Sequence, residues 1–593
     1  MPRSSGRGAT RAVRVVRRIL AIELAVALLA GVLLLLIGQL PKPVSAHTAI
    51  GMTWQQHKDE LGSARSRETC SAGVCTQEFR SGWIYSTASG EARVVRIGEV
   101  GDTFQELGGV ETLGPPITDE WESGGHRWQG FVRGGVFADG ERDPILVGGR
   151  FWSSWLRYAD ERGGLGFPRS EPQRDRRGTD LQDFERGAIY LRDGRPVPTI
   201  ADIAAVHRGT GGQFGPLGYP VRPEEAVGSG LVQQFDGGQI WWSPATGAVP
   251  MTDAFVRSYG EHGGPGGALG FPTDAARNVE GGSVQAFERG ALYRTNADGA
   301  IRATTAGDIQ ARYEALGGAD GELGLPVGEK TAISGGSYQL FSDGVLVWRA
   351  GTGVMRLDRA SFDAWTASPE RFGWPTKDGW SDDRGAHVAF EKAETIQRDG
   401  WLYSAEPVDS STAVLICDSQ CSGDSWVQQG ARGAGFAQTI TRAYGGGGYV
   451  AAAGSIGMGV TDGVANRTIL LPEGRPGVVI VTLGGNDATR GVAQGEAIAA
   501  MDRLIEMLRK AYPNTPIVVD GVMSRSDAAH ASRRAMDAAV VAEAGRLGLP
   551  AISVAGWVSQ YAAPQGDNVH LTQAGHDRIA PYYAAALRAV LGR

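Results

Sequence analysis

Three short segments of this 593-residue chain carry side chains that together can perform acyl transfer. Cys417-Asp418-Ser419-Gln420-Cys421-Ser422-Gly423 closes an apolar run, and Gly484-Gly485-Asn486-Asp487 follows a second one. Asp567-Asn568-Val569-His570-Leu571-Thr572 stands just before the last helical stretch. A serine hydroxyl can attack a carbonyl, and a histidine can take and return its proton. An aspartate can orient the imidazole, while an asparagine and backbone N–H groups hold the oxyanion. The other histidines (His47, five in the middle of the chain, His530 and His576) lack such partners by sequence and are read as structural or solvated.

The elements around these segments predict how they meet. Residues 412–417, 449–453, 478–483, 516–521 and 551–554 read as buried strands, and 496–511, 528–547 and 572–591 have helical periodicity. Alternation of this kind over residues 409–593 predicts an α/β domain with a doubly wound parallel sheet, with active groups at the carboxyl ends of the strands. A short polar joint at 407–411 precedes it.

The blocks resemble the SGNH (GDSL-type) esterase/lipase superfamily, in the same order and across the whole domain, which implies a flavodoxin-like fold. The match implies Ser419 as nucleophile and Asp567 with His570 as the rest of the triad. It implies an oxyanion hole made by Ser419, Asn486 and the backbone N–H of Gly457, in Gly454-Ser455-Ile456-Gly457, with Gly454 the alternate. Two positions depart from the family pattern. Cys417 stands where Gly is usual, and Ala451 and Ala452 replace the usual Asn. A literal Gly423-Asp424-Ser425 also occurs, but Ser419 follows the strand directly whereas Ser425 comes after a six-residue detour.

Residues 50–405 repeat one pattern seven times. Leu-Gly-aromatic-Pro is followed by Phe-x-x-Gly-x-(Ile/Leu)-aromatic, with anchor glycines Gly62, Gly114, Gly166, Gly218, Gly270, Gly324 and Gly373. The phenylalanines Phe79, Phe131, Phe184, Phe235, Phe287, Phe341 and Phe390 come 17 or 18 residues later. Such a period means stacked units that share their apolar faces. Each unit is expected to hold an amphipathic helix, a Gly-rich turn and a short strand pair, in either a propeller-like ring or a solenoid. The seven phenylalanines are expected in the core, whereas Trp121, Trp128 and Trp242 are candidates for surface contact. The array resembles the LGFP repeat family of secreted and envelope proteins of mycolate-making actinobacteria. That implies attachment to a wall polysaccharide such as arabinogalactan. The first, second and last copies depart from the motif, as edge copies often do.

The termini and cysteines bear on location. Residues 1–18 carry six arginines and no acidic residue, and residues 19–40 are apolar except for Glu23 and Gln39. They read as a cytoplasmic basic segment and a membrane anchor, or else as a signal cleaved after Val44-Ser45-Ala46. Cys70 with Cys75 and Cys417 with Cys421 read as two small disulfide loops of an exported protein. A net charge of −7 and the absence of a basic cluster after residue 18 argue against nucleic-acid binding.

The sequence therefore points to an exported, membrane-tethered serine esterase held at the wall by its repeats, acting without a cofactor or metal. The resemblance suggests an acetyl, succinyl or mycolyl ester on a glycan or glycolipid. An acyltransferase would use the same residues, although one membrane segment gives no route for a cytoplasmic acyl donor. A non-catalytic wall-binding scaffold is the rival from another class. It is motivated by Cys417, Ala451 and Ala452 and opposed by Asn486, Asp567 and His570.

Overall fold

Each repeat builds a four-stranded antiparallel sheet rather than the single strand pair the motif suggested. The computed structural model describes residues 21–32, 42–123, 125–158 and 164–593. They divide into two compact units, one of residues 1–277 and 285–289, the other of 278–284 and 290–593, with the division passing through the fifth repeat sheet.

The fourth repeat, in the first unit, shows why the motif has its spacing. Strands Glu225–Val227, Gly230–Phe235, Gly238–Ser243 and Gly247–Thr252 pair in sequence order. Phe235 pairs with Gly238 across a two-residue turn, and its ring is 1% exposed. Gly218 has φ +71°, and a Cβ there would lie 3.0 Å from that of Asp236, so glycine suits both the backbone and the space. Pro220 then forms a bridge to Phe235. The Gly218 carbonyl accepts from His207 Nε2 at 2.8 Å, and that imidazole packs 4.7 Å from the Phe235 ring. Trp155, Tyr259, Tyr313 and Trp365 make the same bond to Gly166, Gly270, Gly324 and Gly373. All seven repeat phenylalanines are buried.

In the second, third, fourth and sixth repeats a buried glutamine two residues before the phenylalanine joins the repeat to the sheet before it. Gln233 Nε2 donates to Pro198 O in the preceding sheet (2.8 Å) and to Arg222 O (3.0 Å). Gln129, Gln182 and Gln339 do likewise. In the last repeat the position is Val388, which lies in an apolar cluster instead. Of the tryptophans offered for surface contact, Trp121 is 44% exposed, but Trp128 packs against Phe137 and Trp155.

In the second unit, the seventh repeat and the carboxy-terminal domain share a sheet. Strand Trp401–Val408 pairs in parallel with Leu471–Gly474 of that domain. Glu473, nearly buried there, pairs with Arg384 (3.0 Å) and Arg398 (2.6 Å). The expected polar joint at 407–411 is therefore half strand and leaves no free linker.

The carboxy-terminal domain has five parallel strands, β1 (Thr412–Cys417), β2 (Gln438–Ala443), β3 (Val478–Thr482), β4 (Ile517–Asp520) and β5 (Ala551–Ile552), in the order β2-β1-β3-β4-β5. Residues of β1 alternate between two cores. Ala413, Leu415 and Cys417 face helices α1 (Trp426–Gly433) and α4 (Gln573–Leu591). Val414 and Ile416 face α2 (Gln494–Ala511) and α3 (Ala531–Arg546). Burial on both faces is why these strands are continuously apolar.

One expectation changes. The second strand is Gln438–Ala443, not 449–453, which forms bends and turns over Asp487. Among the described residues no helix is long and apolar enough to cross a membrane; of the segment 19–40 read as an anchor, residues 19–20 and 33–40 lie outside them. Residues 21–32 are helical and exposed. Residues 1–20 and 33–41, including the basic segment, lie outside the described residues.

Candidate active site

The register of the sheet sets the site. Ala443, Cys417, Thr482 and Asp520 are neighbours across β2, β1, β3 and β4, so the carboxyl ends of these strands form one edge. The strand order reverses between β1 and β3, and ligand crevices open at such a switch point. Ser419 leaves β1 and Asn486 follows β3, one on each side of it.

Ser419 opens a short turn, Ser419–Cys421, capped by Asp418, whose Oδ1 accepts from Gln420 N at 2.9 Å. A disulfide between Cys417 and Cys421 closes this turn on both sides of the serine, and a second joins Cys70 to Cys75. Ser419 Oγ lies 2.8 Å from His570 Nε2, and His570 Nδ1 lies 2.8 Å from Asp567 Oδ2. Asp567 Oδ1 also accepts from the amides of Val569 (2.7 Å) and His570 (2.6 Å). The His570 amide, its ring and the Val569 amide together hold the Asp567 carboxyl well below the usual carboxylate range. Gln420 Nε2 donates to Val569 O (3.2 Å) and ties the nucleophile turn to this loop. Ser425 is fully buried, and its Oγ caps α1.

Asn486 Nδ2 donates to Gly447 O (2.9 Å) and to Asp418 Oδ2 (3.2 Å). That places it beside the glycine run 445–448 that follows β2. Gly457 was expected to offer its backbone N–H to the oxyanion. Its N–H donates to Ala453 O at 2.8 Å, so that donor is spent inside a turn. Gly454, the alternate, is exposed on the same turn. Both follow from taking 449–453 as the second strand; with β2 ending at Ala443, the glycines next to the site are 445–448.

Several supporting groups were not read from the sequence. Asp487 is buried and accepts from the amides of Tyr449 (2.7 Å), Val450 (3.0 Å) and Ala451 (2.8 Å), fixing the loop beyond the glycine run. A Cβ on Gly448 would fall 2.1 Å from its carboxylate, so only glycine fits there. Arg533, also buried, donates to Gly485 O (3.0 Å) and Met523 O (3.0 Å). His530 accepts from Arg525 N through Nδ1 (2.9 Å). The adjacency of Asp487 to Asn486 was the one sequence signal for this layer.

Burial dominates the electrostatics under the edge. It pushes the Asp418 carboxyl up to about 6, offset in part by the Gln420 amide. Asp520 ends β4 wholly buried, accepting from Thr482 Oγ1 (2.7 Å) and Tyr583 Oη (2.9 and 3.0 Å). Burial pushes it up to about 7. The folded chain keeps a proton that the unfolded chain loses near its ordinary value of about 3.9. This group's stabilisation is therefore complete below about pH 4, declines as pH rises to about 7, and is flat above. Asp520→Asn keeps the shape without the ionisation. The variant is expected to melt above the parent at pH 8 and to converge with it toward pH 4. A difference in melting temperature that does not change with pH would refute this assignment.

Comparison with known proteins adds the following. The family described as GDSL-like Lipase/Acylhydrolase matches residues 416–578. The LGFP repeat matches residues 217–267, 269–321 and 323–369. No curated protein sequence gives a match. Among solved structures, an active-site mutant of a family two carbohydrate esterase from Clostridium thermocellum is 18% identical with a TM-score of 0.27; the match covers 32% of this chain and 66% of that one. An aryl esterase of M. smegmatis is 14% identical with a TM-score of 0.24, over 30% of this chain and 99% of that one. A family 3 carbohydrate esterase from Talaromyces cellulolyticus is 16% identical with a TM-score of 0.24, over 31% of this chain and 99% of that one.

Proposed function

We propose that this chain, which carries a GDSL-like acylhydrolase domain together with LGFP repeats, is a serine esterase that removes an acyl group from a wall glycan or glycolipid while its repeats hold it there. The observation that carries the reading is the relay from Ser419 Oγ through His570 to Asp567, with both links at 2.8 Å.

With Asp567 ionised, the proton of His570 rests on Nδ1, and Nε2 is left to accept from the serine hydroxyl. Ser419 attacks the ester carbonyl as His570 takes its proton. The oxyanion meets the Ser419 amide, Asn486 Nδ2 in place of its longer bond to Asp418 Oδ2 (3.2 Å), and the amide of Gly445 or Gly446, since the Gly447 and Gly448 amides donate to Tyr444 O and Ala451 O. Asn486 belongs here through its contact with Gly447. His570 then protonates the leaving alcohol of the glycan, and water, deprotonated by the same imidazole, releases the acid. The side chains of His570 and Asp567 are 48% and 58% exposed, an open setting suited to an ester carried on a polymer. Two disulfides fit an oxidising compartment outside the cytoplasm.

Labelling with a fluorophosphonate followed by peptide mapping tests the reading. The adduct is expected on the peptide bearing Ser419. An adduct on another serine, or none under conditions where the protein is folded, would overturn it.

A further inference from the structure

We propose that the fourth repeat contains a saccharide-binding pocket built on Trp242, Asp202 and Glu224, which takes a neutral sugar ring of the wall polysaccharide. The inference rests on the wall-binding reading and deepens it.

The pocket lies within the first unit and holds about 530 Å³. Ile200, Ala201, Ile203 and Leu231 supply an apolar wall, and the backbone of 228–230 completes the rim. Trp242 stands opposite Leu231 on the paired strand, half-buried. Its Nε1 donates to Asp202 Oδ2 at 2.8 Å, which fixes the plane of the indole. A fixed indole beside two carboxylates is the chemistry that recognises a pyranose or furanose: C–H faces pack on the ring and hydroxyls donate to the oxygens. A fatty chain would instead strip water from the exposed Asp202 carboxylate and donate nothing in its place. A phosphate or acidic sugar would be repelled by the Asp202 carboxylate.

Backbone strain marks the same place. Ala201 lines the pocket with φ +51°, a left-handed conformation disfavoured for alanine. The preceding repeat places Gly149, at φ +56°, in the corresponding position after its last strand. The alanine puts a methyl group into the pocket wall, and strain of this kind collects at ligand sites.

The test uses the full chain and two assays. The first is calorimetric titration with soluble neutral arabino- and galacto-oligosaccharides, with dodecanoate as the apolar control. The second is co-sedimentation with insoluble wall polysaccharide. Saturable oligosaccharide binding is expected, weakened at least tenfold by Trp242→Ala and several-fold by the isosteric Glu224→Gln. Hydrolysis of p-nitrophenyl acetate should be unchanged in both variants, which reports that they fold. Absence of oligosaccharide binding by the parent, parental affinity in both variants, or preference for dodecanoate would overturn the pocket. Co-sedimentation by all three proteins alike would overturn it while leaving wall attachment standing. Oligosaccharide binding without co-sedimentation would support the pocket and remove wall attachment.

Discussion

Ser419→Ala is expected to lower kcat/KM for p-nitrophenyl acetate by about 10⁴-fold or more, with KM little changed. The hydroxyl is the only group at this position that can form the acyl-enzyme, and it lies 2.8 Å from the base. A loss of that size corresponds to about 5.5 kcal/mol of transition-state stabilisation. Any residual rate would come from the oxyanion donors and from water activated by His570. The substitution leaves the Asp418 cap, the Cys417–Cys421 closure and the Gln420–Val569 bond in place, so the variant should fold as the parent does. Equal turnover by the two proteins would remove Ser419 from the mechanism.

Asp567→Asn is expected to lower kcat by about 10³–10⁴-fold at neutral pH, again with little change in KM. Asp567 accepts the Nδ1 proton of His570 and two backbone amides. A carboxamide can keep the amide contacts with its oxygen, but it then turns an N–H toward Nδ1. The imidazole must accept there, its proton moves to Nε2, and the serine hydroxyl loses its acceptor. Because the Asp567 carboxyl is held well below the usual range, ionisation of this group should not shape the parent's pH–rate profile at any pH where the protein is ordinarily assayed. Kinetics of the variant, with circular dichroism to check its fold, decide the point. A loss smaller than tenfold would mean that Asp567 does not orient the base.

Much of the site was legible because it uses local signals. Ser419 follows an apolar strand directly, and Asp567 and His570 are three residues apart, so a single turn can bring them together. The predicted strand at 412–417 is the observed β1, 478–483 overruns β3 by one residue, and 516–521 overruns β4 by one residue at each end. These are interior strands covered on both faces, and their composition shows it. The second strand was misread because it lies at the edge of the sheet. Gln438-Thr439-Ile440-Thr441-Arg442-Ala443 is only partly buried and looks polar. Tyr449-Val450-Ala451-Ala452-Ala453 looks like a buried strand but is largely a loop held by the Asp487 carboxylate. Misplacing that strand carried the oxyanion glycine to Gly457.

By itself the sequence determined the seven-fold period, the burial of the repeat phenylalanines, the α/β alternation, both cysteine pairings and the identity of the three relay residues. Each of these depends on spacing along the chain or on apolar composition. Only the tertiary structure decided what joins the parts. Gln233 reaches partners 11 and 35 residues away, and Glu473 welds the last repeat to the hydrolase-type domain through arginines 75 and 89 residues away. Such contacts are single polar groups satisfying one another in a dry interior, and their cost if unpaired is what selects the fold. They leave no periodicity to read, because the geometry that pairs them exists only once the chain has closed on itself.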